Sequence, residues 1–203
     1  MKIIVIGQNY IDRNNDFGTK KHSEPIVFMK PDSAILKNNK PFYIPDFTRE
    51  LRYETALIVR INRLGKHISP RFAHRYYSEI GLGIDFMASD LQQKLKDAGK
   101  PWELAKAFDS SAVIGDFVPA AELGDVQNIS FRLDIDKKTV QEGNSADMIF
   151  SINELIAYVS RFFTIKIGDI IFTGTPMGAG NVAIGNRLEG YIFEKKIFDF
   201  EIK

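Results

Sequence analysis

The chain opens on an unbroken apolar run, Ile3-Ile4-Val5-Ile6, too short for a helix and closed by Gly7, which predicts a buried strand over residues 2 to 6. Residues 8 to 25 are polar and broken by Asn14-Asn15, Gly18 and Pro25, a loop long enough to act as a functional lid. Ile26-Val27-Phe28-Met29 predicts a second strand ending at Lys30-Pro31, and Pro41 and Pro45 punctuate the loop before a third over 55 to 62. Phe72, Tyr76 and Ile80 then recur at intervals of four with Gly81 behind them, the pattern of a helix over 70 to 80 with a glycine stop. A second helix is expected to begin at Ser89, where Ser89-Asp90-Leu91-Gln92 has capping-box form, and to end at Gly99 and Pro101. A third is marked by the box Ser151 to Glu154 and by Ile152, Leu155, Ile156, Val159 and Phe163 along one face. Strand periodicity returns where Phe131, Leu133 and Ile135 alternate with Arg132, Asp134 and Asp136, and again from Ile197 to Ile202. Strands outnumber helices without alternating regularly with them, so the class is α+β with a large, mostly antiparallel or mixed sheet.

The length of 203 residues suits one well-buried domain over 1–203, and no repeat, low-complexity segment or linker divides it. Net charge is +1, and the short run Lys20-Lys21-His22 reads as a solvated loop, so a nucleic-acid footprint is absent. The absence of cysteine excludes disulfides, thiol nucleophiles and Cys-type zinc sites together. No stretch approaches the ~20 apolar residues of a membrane span. The first apolar run is too short for a signal peptide, because Gln8-Asn9-Tyr10 follows at once, and the cytoplasm is the expected location.

Polar groups gather beside buried strands in three places. Glu54 lies at the mouth of the strand Leu57-Ile58-Val59, and Asp85 follows Gly81-Leu82-Gly83-Ile84. Carboxylates at two strand ends can bind a hard cation, or can simply be surface acids. Lys106 lies between Ala105, Ala107 and Phe108, where a lysine either serves an anion or covers apolar surface with its stem. From Gly168 to Gly178 a strand runs into a turn with Thr173, Gly174, Thr175 and Pro176, suited to an anion or to a plain hairpin. No nucleophile triad order, phosphate loop or dinucleotide fingerprint appears, and the histidines match no zinc spacing.

These signals occur in an order that resembles the fumarylacetoacetate hydrolase family, in its small acylpyruvate hydrolase, oxaloacetate decarboxylase and 2-hydroxyhepta-2,4-diene-1,7-dioate isomerase type. The resemblance is carried by Gly7-Gln8-Asn9-Tyr10, Phe28-Met29-Lys30-Pro31, Tyr53-Glu54, Gly83-Ile84-Asp85, Asp90-Leu91-Gln92, Lys106-Ala107-Phe108-Asp109, Asn144 through Phe150, and Gly168-Asp169 through Gly174-Thr175-Pro176. It implies a single domain with a rolled, barrel-like mixed β-sheet and peripheral helices, assembled as a homodimer. It also implies Mg²⁺ or Mn²⁺ on Glu54 and Asp85, an active-site Lys106, and substrate contacts from Gln92, Gly174 and Thr175. The substrate would be a small α-keto or β-diketo acid, processed by C–C hydrolysis, decarboxylation or isomerisation through a metal-stabilised enolate.

The chain departs from that family at positions with a shared task. Ala56 replaces the second metal carboxylate, which makes weak metal binding the expectation. Arg13 and Asp16 replace a histidine and a glutamate on the lid, Ser89 an arginine, Arg52 a histidine and Gln8 an arginine. Asp16 can stand in for the lid glutamate, but Arg13 stays protonated and cannot act as a base. Decarboxylation or tautomerisation is therefore favoured over reactions that need an activated water. The alternative is a catalytically impaired relative that binds a carboxylate ligand or serves as a structural subunit.

Overall fold

The computed structural model describes residues 1–11 and 22–203, so most of the expected lid, with Arg13 and Asp16, lies outside the described residues. Among the described residues, a seven-stranded sheet forms the centre. Its order is β2 (Ile26–Lys30), β1 (Ile3–Gly7), β11 (Ile170–Phe172), β5 (Thr55–Ile61), β6 (Tyr77–Asp85), β8 (Ala112–Pro119) and β3 (Ile35–Lys37). The pairs β1–β11 and β3–β8 are parallel and the others antiparallel, so the sheet is mixed. Burial on both faces explains why the first strand reads as a continuous apolar run. Ile4 and Ile6 enter the main core, whereas Ile3 and Val5 join a smaller cluster with Ala56, Ile58 and Phe172.

The main core is closed by a four-stranded antiparallel sheet, β10 (Lys138–Asn144), β9 (Ser130–Ile135), β13 (Arg187–Ile192) and β14 (Lys195–Glu201). Strands β13 and β14 pack against β6 and β8, and β9 against β5. Leu133, Leu188 and Phe198 thereby meet Leu57, Val59 and Leu82 in one cluster. A small ladder, β12 (Gly180–Asn181), β4 (Leu51–Tyr53) and β7 (Met87–Ala88), turns the chain at one edge. The result is the rolled, half-barrel α+β architecture that the resemblance implies. Among the described residues three short α-helices, α1 (Ser89–Asp97), α2 (Glu103–Lys106) and α3 (Ile152–Phe162), lie around it, and none is long and apolar enough to cross a membrane.

Two local expectations are corrected. Residues 70 to 80 do not form one helix: Pro70–Tyr76 is a seven-residue 3-10 helix, but Tyr77 begins β6, an interior strand of the large sheet. Ile80, Leu82 and Ile84 alternate into the main core, so the fourfold spacing of Phe72, Tyr76 and Ile80 spans two different elements. Gly81 is no helix stop. A β-carbon there would lie 2.8 Å from Asp116 O, and one at Gly83 would lie 2.5 Å from Val113 O, so both glycines admit the neighbouring strand. The second correction concerns the box at Ser89. Helix α1 does begin there, but its N-cap is Ala88 with no side-chain cap, and Ser89 Oγ donates instead to Glu50 O and Oε2. The box on Ser151 and Glu154 forms as expected.

Candidate active site

The sheet edges bring Glu54, Asp85 and Lys106 together across 52 positions of chain. Glu54 sits in the break between β4 and β5, and Asp85 ends β6 beside it, its N–H donating to Glu54 O at 2.9 Å. The last residue of α2 is Lys106, whose ammonium donates to Asp85 Oδ2 at 2.6 Å and to Glu54 Oε2 at 2.9 Å. It also lies 5.0 Å from the centre of the Phe28 ring, which can contribute a cation–π attraction.

A second ammonium backs the first. Lys30, at the end of β2, is fully buried and pairs with Asp85 Oδ1 at 2.5 Å. It donates as well to Ser111 O at 2.8 Å, Ser111 Oγ at 3.1 Å and Phe86 O at 3.2 Å. Two carboxylates and two ammoniums thus form one internally neutral cluster. Burial disfavours the Lys106 charge, but attraction to Asp85 and then Glu54 outweighs it and holds Lys106 above the ordinary lysine range. Burial likewise works against the Asp85 charge, and the two lysines overcome it and keep its carboxyl below the usual value. For Lys30 burial wins over the pull of Asp85, and its pKa falls to about 8.

Above this cluster lies a cleft of about 730 Å³. Glu54, Lys106, Gln92 and Thr175 all line it, together with Phe28, Arg52, Trp102 and Met177. Asp85 is only 2 % exposed and lies beneath the floor. Gln92 accepts from Lys96 at 3.2 Å, which leaves its amide hydrogens for a ligand. The Thr175 turn is held from both sides. Asn9, at the exit of β1, donates to Thr173 O at 2.8 Å and to Phe150 O at 3.0 Å. Gly174 has φ +104, and a β-carbon there would lie 2.8 Å from Asn9 Cβ. Gly174 is thus held in the turn against Asn9, beside Thr175, and is not among the residues that line the cleft. On the far side Gln141 donates to Thr175 Oγ1 at 2.9 Å and to Pro176 O at 2.8 Å, while accepting from Thr55 N–H at 3.1 Å. With one lone pair satisfied by Gln141, the Thr175 hydroxyl spends its hydrogen only on a long 3.5 Å contact to Pro176 O, which a ligand oxygen could displace.

Lys30, Gln141, Asn9 and Ser111 are the structural partners that sequence reasoning did not assign. Lys30 carried a readable signal, a lysine behind four apolar residues, the same cue that marked Lys106. Gln141 carried none, since it lies among polar residues, Lys138-Thr139 before it and Glu142-Gly143-Asn144 after it.

Hard cations take oxygen ligands, and Mg²⁺ is commonly held by one or two carboxylates with waters and substrate oxygens. Glu54 and Asp85 supply that donor type, so the residues fit a dication at the low end of the range. No group of three or more acid, histidine or cysteine side chains that could hold one exists among the described residues. Ala56, 2 % exposed, is packed in the apolar cluster with Ile58 and Phe172. The carboxylate oxygens a dication would take are those that Lys106 now holds. Ser89 does not line the cleft, and its hydroxyl is bound to Glu50.

The fumarylacetoacetate (FAA) hydrolase C-terminal family model matches residues 2–197. Oxaloacetate tautomerase YcgM of Escherichia coli (strain K12) is 38 % identical over 188 residues, covering 92 % of this chain and 86 % of that protein. The mitochondrial oxaloacetate tautomerase FAHD1 of Bos taurus is 34 % identical over 201 residues, covering 99 % and 91 %. A crystal structure of fumarylpyruvate hydrolase from Pseudomonas aeruginosa, in complex with Mn²⁺ and pyruvate, superposes with a TM-score of 0.90 at 31 % identity, covering 100 % and 89 %.

Proposed function

Because the chain belongs to the fumarylacetoacetate hydrolase family, we propose that it acts on a small α-keto acid, interconverting its keto and enol forms or releasing carbon dioxide, and that it does not hydrolyse acylpyruvates efficiently. The observation that carries this reading is the Lys106 ammonium, buried at the cleft floor and held above the ordinary lysine pKa. Both reactions pass through an enolate, whose oxygen carries the developing charge. A fixed cation in a water-poor site stabilises that charge more than the ground-state carbonyl. Thr175 Oγ1 and the Gln92 amide would orient the keto acid's carboxylate against this cation. Asp16, outside the described residues, is the proposed acceptor of the carbon-bound proton in tautomerisation.

Mg²⁺ or Mn²⁺ on Glu54 and Asp85 is part of the proposal, and a bound dication would supply Lewis-acid stabilisation of the same enolate. The fumarylpyruvate hydrolase solved with Mn²⁺ and pyruvate supports that element. A homodimer is proposed as the assembled form. The reading against hydrolysis rests on Arg13, which cannot take a proton from water at neutral pH. A second reading, ligand binding without turnover, is favoured by the apolar packing of Ala56 and by Ser89 being bound to Glu50.

Assay of the protein with Mg²⁺ or Mn²⁺ on oxaloacetate and on an acylpyruvate separates these. Accelerated enol–keto exchange or decarboxylation of oxaloacetate, with little acylpyruvate cleavage, is expected. Faster acylpyruvate cleavage would overturn the reaction assignment, and binding with no turnover of either compound would establish the second reading.

A further inference from the structure

The cations of the cleft are unequally committed. Lys106 is held between Glu54 and Asp85, and Lys96 rests over the Trp102 ring at 4.6 Å while donating to Gln92. Arg52 also lines the cleft and has no carboxylate partner among the described residues. Its Nη2 donates to Ala179 O at 3.0 Å, and its Nε–H is buried without an acceptor. A guanidinium has a planar fork of donors matched to a carboxylate, and leaving such a donor buried and unpaired is costly. Position 52 is rigidly placed. Arg52 pairs with Met87 on one side and with Asn181 on the other, so the guanidinium rises from the middle strand of the small ladder.

We propose that Arg52 is the specificity-determining residue for a second carboxylate, so that the cleft selects keto diacids over keto monoacids. The assignment rests on the keto-acid reading above and adds the class of substrate. One carboxylate and the keto oxygen lie toward Lys106, Thr175 and Gln92. The far carboxylate lies on the unspent donors of Arg52. The cleft, at about 730 Å³, has room for a diacid of this kind. The neutral Lys–carboxylate cluster sharpens this selectivity: of the cleft cations without a carboxylate partner, Lys96 is engaged by Gln92 and the Trp102 ring, whereas Arg52 keeps a buried Nε–H with no acceptor.

The test is calorimetric titration of wild-type protein, Arg52→Gln and Arg52→Lys with fresh oxaloacetate and with pyruvate. Glutamine keeps a donor near Ala179 O and removes the charge, whereas lysine keeps the charge and removes the fork. Wild type should bind oxaloacetate more tightly than pyruvate. Arg52→Gln should weaken oxaloacetate by roughly tenfold to a hundredfold, the effect of one charge-assisted contact, and leave pyruvate within about twofold. Arg52→Lys should recover part of the loss. Equal weakening of both acids would make Arg52 only a brace for the Ala179 turn and overturn the assignment, as would undiminished oxaloacetate binding in Arg52→Gln. Failure of the wild type to bind either acid would instead overturn the keto-acid reading, and this assignment with it.

Discussion

Lys30 shows how much a single buried charge determines here. Its ammonium meets oxygens of Asp85, Ser111 and Phe86, and nothing apolar can replace those donors. Lys30→Met removes the partner of a buried carboxylate oxygen, a change that costs about 3–5 kcal/mol. A fall in Tm of roughly ten degrees or more should follow. The pH dependence has a definite sign. With its folded pKa near 8 against 10.5 for an ordinary lysine, Lys30 binds fewer protons folded than unfolded between those values. Stability from this group therefore rises with pH across that interval, and the gap between wild type and Lys30→Met should widen from pH 8 to pH 10. A constant gap in denaturant titrations over that interval would contradict the shift. The sequence marked Lys106 through its apolar neighbours, and the same cue lay unread at Lys30. Gln141 and Asn9 were illegible, because their work is to join backbone segments that are distant in sequence.

At the scale of elements, the same four-residue signal gave two outcomes. Ser151 forms a reciprocal cap with Glu154, whereas Ser89 lies one residue inside its helix and bonds Glu50 across the β4–β7 ladder. Ser151→Ala should cost about 1 kcal/mol. Ser89→Ala should cost under about 0.5 kcal/mol, as an ordinary surface change does. Thermal melts of the two variants check both, and equal losses would show that Ser89 caps in solution. Over residues 70 to 80 the helical spacing holds only as far as the 3-10 helix to Tyr76, since local spacing cannot register that β5 and β8 recruit Tyr77–Asp85 into the sheet. The informative residues there were Gly81 and Gly83, whose missing side chains admit the adjacent backbone and whose apolar neighbours alternate. Strands buried on both faces, such as Ile3–Gly7, were legible because their apolar runs are too short to be anything else.

Across the whole molecule, the site draws on positions 30, 54, 85, 106, 141 and 175, carried by separate strands, turns and a helix. Periodicity could find the strands but not their order, and only the ordered motifs implied that Glu54, Asp85, Lys106 and Thr175 belong to one site. The same assembly sets the expected metal affinity. With two carboxylates already joined to lysines, Mg²⁺ without substrate should bind more weakly than micromolar. Ala56→Glu should gain Mg²⁺-dependent Tm, since a ligand that binds only the folded state stabilises it. Absence of that gain would mean that position 56 cannot reach the ion. If Lys106 stabilises an enolate in a keto-acid cleft, one rate must depend on its ammonium. Enol–keto exchange of oxaloacetate, followed by the ultraviolet absorbance of the enol, should be accelerated by wild-type protein. Lys106→Met, verified as folded at the assay temperature, should lose about a hundredfold or more of that acceleration. Exchange by folded Lys106→Met at the wild-type rate would contradict the claim.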